Sequence, residues 1–99
     1  MAEGFEISAF RGVGSGFRIT FENGYTVSIQ FGSNSYCANY HKKLDTTITG
    51  NVRCDNAEVA VVHPCGEFVG FPETGDIIGI NYTPAQVLNL LNWAASQKA

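Results

Sequence analysis

The chain has few charged residues: Asp, Glu, Lys and Arg together make up 15% of its 99 residues, and the formal net charge is −3. This balance disfavours a binder of nucleic acid polymers, because such proteins contact phosphates through many Lys and Arg side chains. No apolar run approaches the length of a membrane span. The first ten residues lack the basic and apolar regions of a signal peptide. The sequence therefore predicts a cytoplasmic protein without a membrane partner.

Cysteine is scarce and odd in number, with Cys37, Cys54 and Cys65. An odd count without a scaffold spacing is typical of reduced thiols rather than of a disulfide framework. A soft metal site that adds His41 and His63 is the alternative, but Cys37-x3-His41 and His63-x-Cys65 are not usual zinc spacings. Cys37 and His41 as a nucleophile and its base would lack a fixed geometry in a loop. We expect no metal, no cofactor and no catalytic residue.

The apolar fraction of 44% describes a folded globular chain, and 99 residues make a single domain, residues 1–99, with one core. A low charge leaves much neutral surface, and oligomerisation is a common way to cover it. We therefore expect a homo-oligomer, a dimer or a tetramer.

Two alternating segments predict a β-hairpin. Phe17, Ile19 and Phe21 alternate with polar residues, and so do Tyr25, Val27, Ile29 and Phe31. A two-residue Asn23-Gly24 turn would pair Phe21 with Thr26 and put the two apolar sets on opposite faces. A three-residue loop, Glu22-Asn23-Gly24, aligns both sets and places Gly24 in the left-handed position of a bulge turn. The sequence predicts the longer loop.

Other segments give the remaining elements of the sheet. Residues 4–10 alternate and predict a short first strand, and the glycine-rich residues 11–16 predict a turn or a bulge. Residues 44–51 are rich in Thr and Ile and fit either an edge strand or an extended loop. Residues 56–63 are the most apolar strand candidate, central in the sheet, and Pro64-Cys65-Gly66 turns the chain into residues 67–71 as a second hairpin.

The C-terminal element is predicted as a helix. Thr83, Pro84 and Gln86 supply an N-cap, a proline at the first helical position and the glutamine of a capping box. A wide apolar face follows at helical spacing, comprising Val87, Leu88, Leu90, Leu91, Ala94 and Ala95. We assign Trp93 to the core or to a subunit interface. The predicted fold class is α+β: a mostly antiparallel sheet of about four to six strands, with one C-terminal α-helix packed on one face.

A polar loop, residues 33–43, follows the hairpin and is typical of a binding loop on a rigid scaffold. Tyr36 and Tyr40 are candidates to stack on a base. The candidates to read base edges or ribose are Asn34, Asn39 and Gln30. The candidates to supply positive charge to phosphates are His41, Lys42, Lys43, Arg53 and Arg11. The alternative is a solvated loop whose tyrosines pack on the sheet edge.

The hairpin and this loop resemble small proteins encoded by bacterial viruses. The similar features are N-G-Y-x-V-S-x-Q-F-G at residues 23–32, Y-C at 36–37, A-E-V-A at 57–60 and the T-P-x-Q-V start of the helix. Compact viral proteins of this size are often inhibitors of host defence, and several families act as sponges for cyclic or modified nucleotide signals. The resemblance carries no ligand contact over to this chain.

The resemblance and the loop together lead to a functional expectation. We expect a non-enzymatic, virus-encoded protein that sequesters a nucleotide second messenger, cyclic or of the ADP-ribose type, between the subunits of a homo-oligomer. The first alternative is an inhibitor that docks an edge strand or the polar loop on a host defence protein. A small nucleotide-degrading enzyme is the third possibility, with His41 and His63 as its only evident candidate bases or metal ligands.

Overall fold

A computed structural model describes residues 3–10, 13–32, 37–38 and 53–98. It contains a five-stranded antiparallel sheet whose spatial order follows the chain, and one C-terminal helix packed against that sheet. The elements are β1 (Gly4–Phe10), β2 (Val13–Thr20), β3 (Thr26–Gln30), β4 (Ala57–Val62), β5 (Gly79–Tyr82) and α1 (Pro84–Ala95). The predicted α+β fold class is confirmed. Residues 44–51, predicted as an edge strand or a loop, lie outside the described residues.

The first hairpin has the predicted three-residue loop. Ile19 lies opposite Val27, and the Phe21 N–H donates to the Tyr25 carbonyl at 2.9 Å. The Gly24 N–H donates to the Phe21 carbonyl at 2.8 Å, and Gly24 has a φ of +88°. Register and dihedral angle therefore both confirm the bulge turn that face matching selects.

β1 extends the sheet beyond the hairpin, as residues 4–10 predict. Phe5 lies opposite Ile19 and Ile7 opposite Phe17. The register then shifts, because Ser8 pairs with Gly16 while Ala9 pairs with Gly14. This shift is a β-bulge within the glycine-rich segment, and β2 begins inside that segment at Val13.

The second hairpin is shorter than predicted. Only Val62 and Phe68 form a bridge, with Val69 N–H donating to the Val61 carbonyl at 2.9 Å. The chain then leaves the sheet edge because Phe71 turns into the core, where it is buried. The first half of β4 pairs instead with β5. β4 thus has neighbours on both sides, as expected for an interior strand.

The helix begins with the predicted capping box. The Thr83 hydroxyl accepts from the Gln86 N–H at 3.3 Å, and the Gln86 side chain accepts from the Thr83 N–H at 2.9 Å. Pro84 occupies the first turn of the helix. A backbone N–H at this position has no intrahelical acceptor, so proline costs the helix no hydrogen bond there. Within the described part of the chain, no helix is long and apolar enough to cross a membrane.

The core lies between α1 and one face of the sheet, here called the helix-side face. Its buried residues are Tyr25, Val27, Ile29, Ala57, Val59, Val61, Phe71, Leu90 and Ala94. Trp93 is partly buried and packs against this core, as predicted for one of its two alternatives. The predicted apolar face of the helix is wider than its buried face, because Leu88 and Ala95 are exposed.

Asn23 connects the hairpin loop to the end of the helix. Its side-chain NH2 donates to the carbonyl of Ala94 at 2.9 Å and to that of Gln97 at 2.7 Å. Its side-chain oxygen accepts from the Tyr25 N–H at 3.0 Å. The last carbonyls of a helix have no intrahelical partner, so the loop supplies hydrogen bonds that the helix lacks.

Candidate functional site

A groove of about 590 Å³ opens between the N-terminal half of α1 and one end of the helix-side face. We call it the helix–sheet groove. Its apolar lining comprises Phe17, Ile29, Phe31, Ala57, Tyr82, Pro84, Val87, Leu88 and Leu91. Its polar lining comprises Arg53, Cys54, Asp55 and Asn56. A mostly apolar cleft of this volume with a few polar groups on one side is typical of a small-molecule site.

The local sequence explains why the groove is open. β3 presents Ile29 to the helix-side face, and the helix presents Val87 and Leu91 to the same space. Leu88 belongs to the apolar side of the helix, yet it is 57% exposed because it lies at the mouth of the groove. The helix therefore covers the sheet only in part, and apolar side chains remain accessible beside it.

Arg53 and Asp55 form an ion pair at the polar side of the groove. Arg53 and Asp55 approach to 3.5 Å, and their side chains are 86% and 82% exposed. Such exposed pairs contribute little to stability, since water and salt screen them. The Asn56 side-chain oxygen accepts a hydrogen bond from the Ala38 N–H at 2.6 Å and so connects the polar side of the groove to Ala38 of the same chain. Arg53 thus places a guanidinium at the polar side of the groove.

Tyr82 lines both the groove and a second cavity of about 230 Å³, which is also lined by Leu90 and Trp93 of the helix. Its ring lies 5.7 Å from that of Phe71 in a tilted arrangement. Burial, and then the negative charges of Glu73 and Asp76, raise the pKa of the Tyr82 hydroxyl. The hydroxyl is therefore protonated at neutral pH and can donate a hydrogen bond.

The structure describes only two of the residues predicted to bind a ligand. Arg53 lines the helix–sheet groove, whereas Gln30 lies on the opposite face of the sheet beside Arg18. The Gln30 amide donates to the hydroxyls of Ser8 and Ser28, both at 3.0 Å. The two predicted residues are thus not brought to a common site. The other predicted contacts lie outside the described residues: Arg11, Asn34, Tyr36, Asn39, Tyr40, His41, Lys42 and Lys43.

Cys37 and His63, two of the candidate metal ligands, make local contacts within the fold. Cys37 is buried, and its thiol lies 3.7 Å from the Gly32 carbonyl. His63 accepts the Cys65 N–H at Nδ1, 3.0 Å away, and its ring packs edge-on against Tyr25. Among residues 3–10, 13–32, 37–38 and 53–98, no three His, Cys, Asp or Glu side chains are grouped to hold a metal ion.

The helix–sheet groove is the feature that the sequence interpretation missed. Phe17, Ile29 and Leu91 look like ordinary core residues, and nothing in their spacing marks them as lining a cleft. The available signal was indirect: a helix with an apolar face too wide for one sheet to cover.

Comparison with known proteins adds no relative. No protein-family model, no curated protein and no solved structure matches the chain.

Proposed function

We propose that the protein is a non-enzymatic binding protein that holds a nucleotide-type ligand in the helix–sheet groove. The observation that carries this proposal is the combination of aromatic and aliphatic walls with one guanidinium at the side of the groove. In the light of the resemblance to viral proteins, the ligand would be a nucleotide signal that is sequestered rather than cleaved.

The walls of the groove suit a flat ring. Phe17, Phe31 and Tyr82 each contribute an aromatic side chain, and Leu88 and Leu91 face them from the helix. Base stacking on a protein ring contributes about 1–3 kcal/mol and tolerates different bases, since every base has a π-face. The groove can therefore bind the ring part of the ligand without a dedicated set of polar contacts.

Arg53 suits the anionic part. A guanidinium matches the geometry of phosphate oxygens, and a charge-assisted hydrogen bond to phosphate is stronger than a neutral one. Its ion pair with Asp55 is exposed, so that pair contributes little to stability. This role agrees with the one that the sequence predicts for Arg53.

A thermal-shift screen with cyclic di- and trinucleotides and ADP-ribose derivatives tests the ligand class. We expect at least one member to raise the melting temperature, since a ligand that binds only the folded state stabilises it. The same ligand should be recovered chemically intact after denaturation. No shift with any member contradicts the nucleotide assignment, and a chemically altered ligand contradicts sequestration.

Two matched substitutions test the groove itself. Leu88→Asp puts a carboxylate at the mouth of the groove, whereas Ile80→Asp changes a side chain that is equally exposed, at 57%, and does not line the groove. We expect Leu88→Asp to weaken binding of the nucleotide found in the screen at least tenfold, and Ile80→Asp to leave it unchanged. Equal affinities of the two variants, by calorimetry, would place the site elsewhere.

Arg53 has its own control on the other side of the sheet. Arg53→Gln should weaken the same nucleotide by about tenfold, more at low salt than at high salt. Arg18→Gln, on the opposite face, should have no effect. An unchanged affinity in Arg53→Gln would remove the guanidinium from the proposal.

A further inference from the structure

The outer strand of the sheet exposes large apolar side chains. Phe5 and Ile7 on β1 are 81% and 82% exposed, although they lie opposite Ile19 and Phe17 on the helix-side face. Natural edge strands are usually protected by lysine, proline or their own bulges. β1 has the sequence GFEISAF, with Glu6 as its only charge. In the described part of the chain, no strand pairs with its outer side.

The register determines which backbone groups point outward. Phe21 and Tyr25 form a hydrogen-bonded pair, so alternate residues of β2 direct their N–H and C=O groups toward β1. These are the residues paired with Gly4, Glu6 and Ser8. By alternation, the backbone groups of Phe5, Ile7 and Ala9 point away from the sheet. The outer edge of β1 thus offers the backbone N–H and C=O groups of these three residues to a further strand.

We propose that β1 pairs antiparallel with β1 of a second copy of this chain. The two-fold axis that relates the copies passes between the two Ile7 residues. Ile7 then lies opposite Ile7 of the partner, and Phe5 lies opposite Ala9. These are the residues whose backbone groups point outward, so each pair forms two hydrogen bonds across the axis. The result is one continuous ten-stranded sheet.

Charge selects this register over its neighbour. With the axis at Ile7, Glu6 lies opposite Ser8 of the partner, in a non-hydrogen-bonded pair where side chains are close. With the axis moved by one residue to Glu6, the two Glu6 carboxylates would face each other, and like charges in direct opposition are destabilising. In either register both copies of Phe5 and Ile7 lie on one face, where they cover each other, so the charge of Glu6 decides between the two registers.

The dimer extends the binding surface described above. A two-fold axis perpendicular to the sheet puts both helices on the same side, each above β3 and β4 of its own subunit. Strands β2 and β1 of both subunits lie between the helices. The distance from β3 of one subunit to β3 of the other is therefore five strand spacings of about 4.8 Å, or about 24 Å. Ile7 lies beside Phe17, a residue of the groove, so each groove continues onto the dimer interface. The dimer itself does not depend on the proposed ligand.

Sedimentation equilibrium of the full chain, under reducing conditions that keep the exposed Cys65 thiol from crosslinking, tests this pairing. We expect a dimer at micromolar concentration. Ile7→Lys places two ammonium groups at the axis and should raise the dissociation constant more than about tenfold. The matched control is Ile80→Lys on β5, which should remain dimeric. Thermal melts of dilute samples show whether each variant is folded, and Ile7→Thr replaces Ile7→Lys if the latter unfolds.

The register has a separate test at Ser8. Ser8→Lys brings an ammonium opposite Glu6 of the partner, and Ser8→Glu brings a second carboxylate; both lose the hydrogen bond from Gln30. Because each pair occurs twice, the lysine variant should dimerise about 2- to 30-fold more tightly than the glutamate variant. A monomeric wild type overturns the proposal and leaves the edge to a strand of another protein. A wild-type affinity in the folded Ile7 variant, or equal dimer affinities with lysine and glutamate at position 8, also overturns it.

Discussion

Gly24 is constrained in two ways at one α-carbon. Its φ of +88° lies in the left-handed region, and a Cβ added there would come within 2.9 Å of Pro64 Cγ. We expect Gly24→Ala to lower the free energy of unfolding by about 1–3 kcal/mol. Gly66→Ala is the matched control, because Gly66 has a φ of +96° but no atom within 4 Å of the added Cβ. Urea denaturation should give the larger loss for Gly24, and equal losses would show that Pro64 adjusts without cost.

The raised pKa of Tyr82 predicts a pH dependence of stability. The hydroxyl ionises near its ordinary value of 10.0 in the unfolded chain and at higher pH in the folded one. Stability from this group is therefore complete below pH 10 and is lost as the pH rises toward the folded-state pKa, because the unfolded state releases its proton first. Tyr82→Phe should lack this component. Melts from neutral to strongly alkaline pH should show a steeper decline in wild type, and parallel declines would contradict the assignment.

At the scale of elements, Asn23 joins the first hairpin to the end of α1. Asn23→Ala removes the side-chain hydrogen bonds to the carbonyls of Ala94, Ala95 and Gln97 and one within the turn, and we expect a loss of about 1–3 kcal/mol in the free energy of unfolding. Asn92→Ala, at an exposed helical position, should cause no loss.

Asn23→Asp separates the two functions of this side chain. It keeps an acceptor for the Tyr25 N–H but loses the donors and places a negative charge at the helix C-terminus, where the helix dipole is unfavourable to it. It should therefore destabilise at least as much as Asn23→Ala. An Asp variant as stable as wild type, by chemical denaturation, would mean that the helix-terminal bonds contribute nothing.

The elements defined by local signals are those that the sequence predicted well. The register of the first hairpin follows from face matching over a few residues, and the capping box follows from Thr83 and Gln86 alone. The second hairpin ends earlier than its pattern predicts, because Phe71 is buried in the core beside Tyr82 instead of continuing along the sheet. The local pattern of residues 67–71 contains no signal of that long-range contact.

At the scale of the whole molecule, the candidate site was harder to predict. The charge of Arg53 marks it as a candidate, and it lines the groove. Gln30 alternates to the other face because its neighbour Ile29 faces the helix. The groove consists of residues whose types are also those of a core. Where the helix lies on the sheet decides which of them are covered, and sequence spacing does not determine that placement.

The sheet order β1-β2-β3-β4-β5 has a consequence for folding kinetics. Each strand joins the strand that precedes it in the chain, so no crossover must form, and the two N-terminal pairings close only short loops. The pairing of β4 with β5 closes residues 63–78, and the pairing of β3 with β4 must bring together segments separated by the longest connection, residues 31–56. The entropy of closing a loop rises with its length, and non-local pairings slow folding. The three N-terminal strands should therefore assemble first, and the arrival of β4 should set the rate at which the core becomes complete.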